Sequence, residues 1–194
     1  MVLSLIIMMV LLLFVSAQVL AQTPGAWYPE FEIQFYSNVT ASNAGGLYGK
    51  MYYSWPQKSQ LHYYSMGSAV CLKYGIMYDD CFRLWNAQGM YHGVADGDCC
   101  LEKPGAQPPS PSWPQDSGPT FKGEVTDSYS GLKGNKYTFS AIPNTYVETL
   151  NQLPLFLSGP TEAEDLHYIT TSMYTSPVDP YYFELPAGGC RSSC

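Results

Sequence analysis

The chain is predicted to fold as a strongly curved antiparallel β-sheet, a half-barrel or sandwich, with one or two short helices and disulfides. Three observations predict it. Apolar and polar residues alternate with period two through much of the chain, as in Phe31-Glu32-Ile33-Gln34-Phe35. Seventeen tyrosines and four tryptophans supply side chains that suit a half-buried pleated surface. Short Gly, Pro and Asp turns separate the apolar runs, and strands joined by short turns pair antiparallel, because parallel neighbours need a long crossover. A twisted sheet of this length curls, and its hollow side can hold a small molecule.

The elements follow in order. Residues 1–21 carry no charge, and Val2 to Val15 is an apolar run ending in Ser16 and Ala17. This reads as a secretory leader cleaved after Ala21 or Ala17, too short to be a comfortable membrane span. Residues 22–194 are then one domain. Phe31 to Phe35 is a strand, and Asn38-Val39-Thr40 beyond it is a glycosylation sequon at Asn38. Leu47 to Trp55 and Leu61 to Met66 form a hairpin about Pro56-Gln57-Lys58-Ser59. Cys71 to Tyr74 and Ile76 to Trp85 are expected as the next pair of strands, then Met90 to His92. Asp96-Gly97-Asp98 turns the chain into Cys99-Cys100, so residues 31–101 read as a meander. Residues 104–119 hold six prolines and read as a loop that packs over the sheet edge through Trp113. Thr120 to Ser128 and Lys136 to Ile142 flank a turn. Asn144 is placed to cap a helix from Thr145 to Leu153 that Pro154 ends. Leu166 to Tyr174 is a late strand, and Val178 to Pro186 an extended tail strand.

Composition narrows the partners. The formal net charge is −7, and nine Lys and Arg are scattered without a cluster. A nucleic-acid partner needs a basic stripe to replace counterions, so none is expected, nor an anionic membrane surface. No second long apolar stretch follows the leader, so the mature chain is expected to lack a transmembrane segment. The six cysteines, Cys71, Cys81, Cys99, Cys100, Cys190 and Cys194, all follow the leader. In an oxidising compartment an even count means disulfides, with fifteen pairings open. Adjacent Cys99 and Cys100 point to opposite faces of a strand and so reach different partners. Cys71 and Cys81 flank a bend and are placed to pair, and Cys190 is placed to tie down the tail.

Catalytic patterns are lacking. No serine sits in G-x-S-x-G, and no glycine-rich phosphate loop occurs. His62, His92 and His167 show no metal-ligand spacing and are read as hydrogen-bonded or surface residues. Asp79 and Asp80, expected in one strand, point to opposite faces and form no dyad. Asp96 and Asp98 suit a turn, with room for a weak calcium site completed by loop carbonyls. No other cofactor is expected, and the chain is read as non-enzymatic.

The order of features resembles the ependymin-related secreted proteins and their LolA-like relatives. The resemblance rests on Gly49-Lys50-Met51-Tyr52-Tyr53-Ser54-Trp55, then Leu61-His62-Tyr63-Tyr64, Gly89-Met90-Tyr91 and Cys99-Cys100-Leu101. It continues through Trp113, Phe121-Lys122-Gly123, Tyr137 to Pro143, and Phe183-Glu184-Leu185-Pro186 closing on a cysteine. It implies a curved sheet with a hydrophobic pocket for lipid or another apolar ligand, and calcium binding as a family trait. The expected pocket lining is Phe31, Ile33, Phe35, Met51, Tyr53, Trp55, Leu61, Tyr63, Phe82 and Leu84. The same residues serve equally as ordinary core. A cavity of several hundred cubic ångströms would distinguish the two. An extracellular matrix or adhesion component acting through aromatic patches is the alternative, and a secreted hydrolase with two converging carboxylates a third.

Overall fold

The computed structural model describes residues 23–37, 47–94, 97–140, 144–159 and 165–194. The expected leader, the sequon residue Asn38 and the turn residue Asp96 lie outside the described residues. The strands are β1 (Glu30–Ser37), β2 (Leu47–Ser54), β3 (Ser59–Tyr64), β4 (Cys81–Asn86), β5 (Gly89–Val94), β6 (Cys99–Pro104), β7 (Pro119–Thr126), β8 (Lys133–Phe139), β9 (Thr145–Thr149), β10 (Pro154–Leu157) and β11 (Leu166–Tyr174). Two short helices, α1 (Ala69–Lys73) and α2 (Trp113–Asp116), and a 3-10 turn (Pro180–Phe183) complete the described elements.

All eleven strands join one sheet in the order β6-β5-β4-β3-β2-β1-β11-β10-β9-β8-β7. Every ladder is antiparallel. Two meanders, β1–β6 and β7–β11, meet where β1 pairs with β11. The edges β6 and β7 do not pair, so the sheet is open. The chain between them, residues 105–118, must pass from one edge to the other. It does so across the inner face, carrying Trp113 into the core beside Phe139 and Tyr146.

The curl is visible in one indole. Trp27 packs edge-on against Tyr53 of β2, at 5.7 Å between centroids, and donates its N–H to the Tyr146 hydroxyl of β9, 3.3 Å away. Four strand spacings separate β2 from β9, about 19 Å in a flat sheet. A single side chain spans them because the sheet bends round it.

Period-two alternation divides the sheet into two cores. The inner face holds Phe31, Ile33, Phe35, Met51, Tyr53, Tyr64, Tyr137, Tyr146 and Tyr168, covered by Trp27, Trp113 and the α1 residues Val70 and Cys71. The outer face of β2–β6 holds Tyr52, Leu61, Phe82, Leu84, Tyr91 and Cys99, covered by Val178 and Phe183 of the C-terminal segment.

Four expected elements are corrected. Cys71 to Tyr74 is not a strand: α1 spans Ala69–Lys73, with the Ser68 hydroxyl accepting from the Cys71 amide and Gly75 at φ 75° just past the helix. A Ser cap and a stop glycine outweighed the short apolar run. The strand expected from Ile76 begins only at Cys81, so Asp79 and Asp80 lie in the preceding loop, where Asp80 accepts from the Met66 amide. Thr145 to Leu153 is not a helix but β9 and a turn. Thr145, Val147 and Thr149 are β-branched, and Leu150, which a helix would set on one face with Val147 and Leu153, is 64% exposed. Residues 178–186 pair with no strand. Pro180–Phe183 is instead a 3-10 turn capped by Asp179, whose side chain accepts from the Tyr181 amide.

Candidate functional site

The cysteines build the frame of the site. Cys71 pairs with Cys81, Cys99 with Cys190 and Cys100 with Cys194, leaving none free. Cys99 and Cys100 project to opposite sides of the edge strand β6, so the C-terminal segment grips that edge from both faces. Arg191 bridges Cys100 between the two bonds: the Leu101 amide donates to the Arg191 carbonyl, and the Arg191 amide to the Cys99 carbonyl, each at 2.9 Å. The stretch covered in this way, Cys99 to Leu101, cannot template association with another strand.

The same segment roofs a cavity of about 490 Å³ on the outer face. Its floor is Leu61 and Tyr63 of β3 with Phe82 and Leu84 of β4, in register as Leu61↔Leu84 and Tyr63↔Phe82. Its roof is Tyr181, Tyr182, Glu184, Leu185, Pro186 and Ala187. The roof is pinned at both ends. Gln57 Nε2 donates to the Val178 carbonyl at 2.9 Å, Phe183 is buried, and Tyr182 stacks on Tyr52 at 4.1 Å. At the far end the Cys99–Cys190 bond holds it to β6.

The ten residues expected to line one pocket therefore divide. Leu61, Tyr63, Phe82 and Leu84 line this cavity. Phe31, Ile33, Phe35, Met51 and Tyr53 are fully buried in the inner core, and Trp55 packs against it. Strand alternation separates the two groups: Leu61 and His62 are neighbours, and only the first faces the cavity. The roof residues were missed. Their signal is the run of apolar residues Val178, Phe183 and Leu185, in a proline-rich tail closed by Cys190, which have to cover something.

Two further hollows flank the sheet. One, of about 580 Å³, shares Tyr63 with the first and is lined by polar groups including Gln34, Lys50, Ser65 and Asp80. The other, of about 210 Å³, is bounded by Val125, Lys136, Val147, Phe156, Asp127 and His167. There His167 Nδ1 lies 2.6 Å from Asp127 Oδ1. Burial alone would raise the Asp127 pKa. The Ser130 amide and hydroxyl, with His167, outweigh burial and hold it below the ordinary value.

The remaining histidines stand apart. His62 is buried on the inner face between Gln60 and Tyr64, and burial, reinforced by the Arg83 charge, lowers its pKa to about 3. His92 lies on β5 beside Glu102. Asp98 precedes β6, and its carbonyl accepts from the Val94 amide.

No family model matches the chain, and no curated protein matches it. Among solved structures, the chain is similar to an uncharacterized conserved protein from Thermus thermophilus. The TM-score is 0.52 at 9% identity, over 84% of this chain and 90% of that one. At that identity the likeness is one of fold. No helix among the described residues is long and apolar enough to cross a membrane.

Proposed function

We propose that the protein is secreted, non-enzymatic and disulfide-bonded, and that it holds a lipid or other apolar molecule in the cavity under its C-terminal segment. One observation carries the reading: an apolar floor of Leu61, Phe82 and Leu84 lies beneath a pinned roof, with about 490 Å³ between them. Ligand pockets commonly measure about 300–1,000 Å³. Three disulfides suit an oxidising compartment. The resemblance to ependymin-related and LolA-like proteins points to the same class of ligand.

Native mass spectrometry of the secreted protein tests it, with titration by a fluorescent fatty acid. Bound lipid or saturable fatty-acid binding is expected. Ala187→Trp would fill the cavity from the exposed roof and should weaken binding at least about tenfold, or about 1.4 kcal/mol. Wild-type protein that ignores both lipid and fatty acid would overturn the proposal.

A second reading, adhesion through aromatic surface patches, draws on one cluster. Tyr36 and Tyr48 pack at 4.5 Å with hydroxyls 2.7 Å apart, and Tyr129 stacks on Tyr36 at 5.9 Å. Tyr48 and Tyr129 are exposed. Loss of cell or matrix adhesion in Tyr48→Ala, with fatty-acid binding unchanged, would favour it.

A further inference from the structure

We propose that the Cys100–Cys194 disulfide is a reducible clasp over a zinc site: once a small thiol opens it, the two sulfurs bind Zn²⁺ together with His92 and Glu102. The idea is independent of the cavity reading.

The donors converge at the β5–β6 edge. His92 lies opposite Cys100 in the ladder. His92 Nε2 is 3.5 Å from Cys100 Sγ, and Nδ1 is 3.7 Å from Cys194 Sγ and 3.3 Å from Glu102 Oε2. The ligand atoms of His92, Cys100 and Cys194 all lie within 4.8 Å of one another. A tetrahedral zinc, with bonds of about 2.3 Å to sulfur and about 2.0–2.1 Å to nitrogen and oxygen, has donor–donor edges of about 3.3–3.8 Å. The edges from Nδ1 to Cys194 and to Glu102 already have that length. The sulfur-to-sulfur edge does not, because the covalent bond holds it too short. Reduction opens it.

The surroundings orient the other two ligands. Tyr74 stacks on the His92 ring at 3.6 Å and donates its hydroxyl proton to Glu102 Oε2 at 2.7 Å. Arg83 Nη2 and Nε donate to that same hydroxyl oxygen at 2.6 and 2.9 Å. Such outer partners hold metal-ligating imidazoles and carboxylates in place. Charge also balances. Two thiolates and a carboxylate exceed the zinc charge by one, and Arg83 stands alongside.

Access singles out this bond. Cys71 and Cys81 are fully buried, Cys99 nearly so and Cys190 half-buried, whereas Cys194 is exposed. A low-molecular-weight thiolate attacks Cys194 Sγ. The S–S bond breaks, and Cys100 leaves as a thiolate beside His92. A second thiol attacks the mixed disulfide and releases Cys194. Two small thiols are thereby oxidised to one small disulfide, and the protein bond is reduced by two electrons. Zinc binding then displaces the remaining thiol protons to solvent. The Cys99–Cys190 bond and the Arg191 bridge still anchor the tail, so Cys194 stays within reach.

The test uses the full secreted chain and limited reduction with glutathione. Alkylation and peptide mapping should find Cys100 and Cys194 opened before the other four cysteines. Equilibrium dialysis should then show one Zn²⁺ per reduced chain and none on the oxidised chain. Zinc should slow alkylation of both cysteines. His92→Ala should weaken zinc binding at least about tenfold with an unchanged far-ultraviolet circular dichroism spectrum. Glu102→Gln, at an exposed position, gives the same comparison if the first variant misfolds. The proposal is overturned if another bridge opens first, if the reduced wild type unfolds or fails to bind zinc, or if the folded variants bind it as tightly as wild type.

Discussion

The ring of Phe35 on β1 lies across the backbone of Gly49 on β2, its partner in the ladder. A Cβ at position 49 would stand 2.3 Å from that ring and 2.6 Å from the Tyr63 carbonyl. The ring is fully buried in the inner core, and the carbonyl belongs to the backbone, so neither can yield cheaply. Gly49→Ala should therefore destabilise the fold by about 1–3 kcal/mol, the usual cost of overpacking. Urea unfolding measures it as a fall in midpoint at constant slope. A variant as stable as wild type would mean that β1 and β2 are farther apart here.

His62 makes stability depend on acid. Its folded pKa is about 3, against an ordinary value of 6.5, because burial, and secondarily Arg83, excludes the charged form. Below pH 6.5 the unfolded chain takes up a proton that the folded chain refuses. Stability should then fall with pH from 6.5 down to about 3, at up to about 1.4 kcal/mol per pH unit from this residue. His62→Gln removes the titration and should flatten the profile by that amount. Equal slopes for the two proteins would place a proton on folded His62. Glu148 acts with the opposite sign. Burial raises its pKa against the opposing bonds from the Gly25 amide and the Tyr137 hydroxyl, so its ionisation weakens the fold as pH rises.

Asp127 orients His167. A carboxylate accepting at Nδ1 puts the imidazole proton there and leaves Nε2 as the acceptor. Nitrogen-15 NMR of the neutral imidazole should show the Nδ1–H tautomer of His167 in wild type and a shift toward Nε2–H in Asp127→Asn. The folded Asp127 pKa is depressed, so its contribution is present above the unfolded value and is lost as pH falls through the folded one. The variant should lose stability near neutrality by about 1–3 kcal/mol and converge on wild type in strong acid. An unchanged tautomer would sever this pairing.

The meander from β1 to β6 was legible in part, because β1 and β5 alternate cleanly and the β2–β3 and β4–β5 turns are short, whereas the long link from Tyr64 to Cys81 that holds α1 was misread as strands. The division of Cys99 and Cys100 between opposite faces was legible for the same reason, since period two leaves adjacent side chains no choice. Cys71–Cys81 was legible from chain proximity, although a helix and not a strand brings the pair together. What could not be read is long-range. Nothing local says that β1 pairs with β11, or that residues 105–118 cross the inner face. The site suffered most. Phe31 and Leu61 look alike in sequence, yet one faces the packed interior and the other the roofed cavity, and only the curl and the path of the tail separate them. The Thr145 to Leu153 error was a contest between a 3.6-residue stripe and β-branched residues, decided by the burial of Tyr146 and Glu148 in the inner core.

The two more deeply buried bridges should separate stability from binding. Cys99–Cys190 closes 91 residues and Cys71–Cys81 closes 10. Because Cys100–Cys194 already closes almost the same stretch, the loop that Cys99–Cys190 adds is short, and loop-closure entropy gives it only about 2 kcal/mol against about 3 kcal/mol for Cys71–Cys81. Replacing Cys99 and Cys190 together by alanine, with Cys100–Cys194 kept, should cost the smaller amount. It should also free the roof at its distal end and weaken fatty-acid binding at a temperature where the variant remains folded. Replacing Cys71 and Cys81 should lower stability alone, since α1 lies on the inner face, away from the cavity. Calorimetry and fatty-acid titration on the same samples read the two effects. If both variants bind as wild type does while differing in stability, the roof is a staple for the sheet edge and not the cover of a binding site.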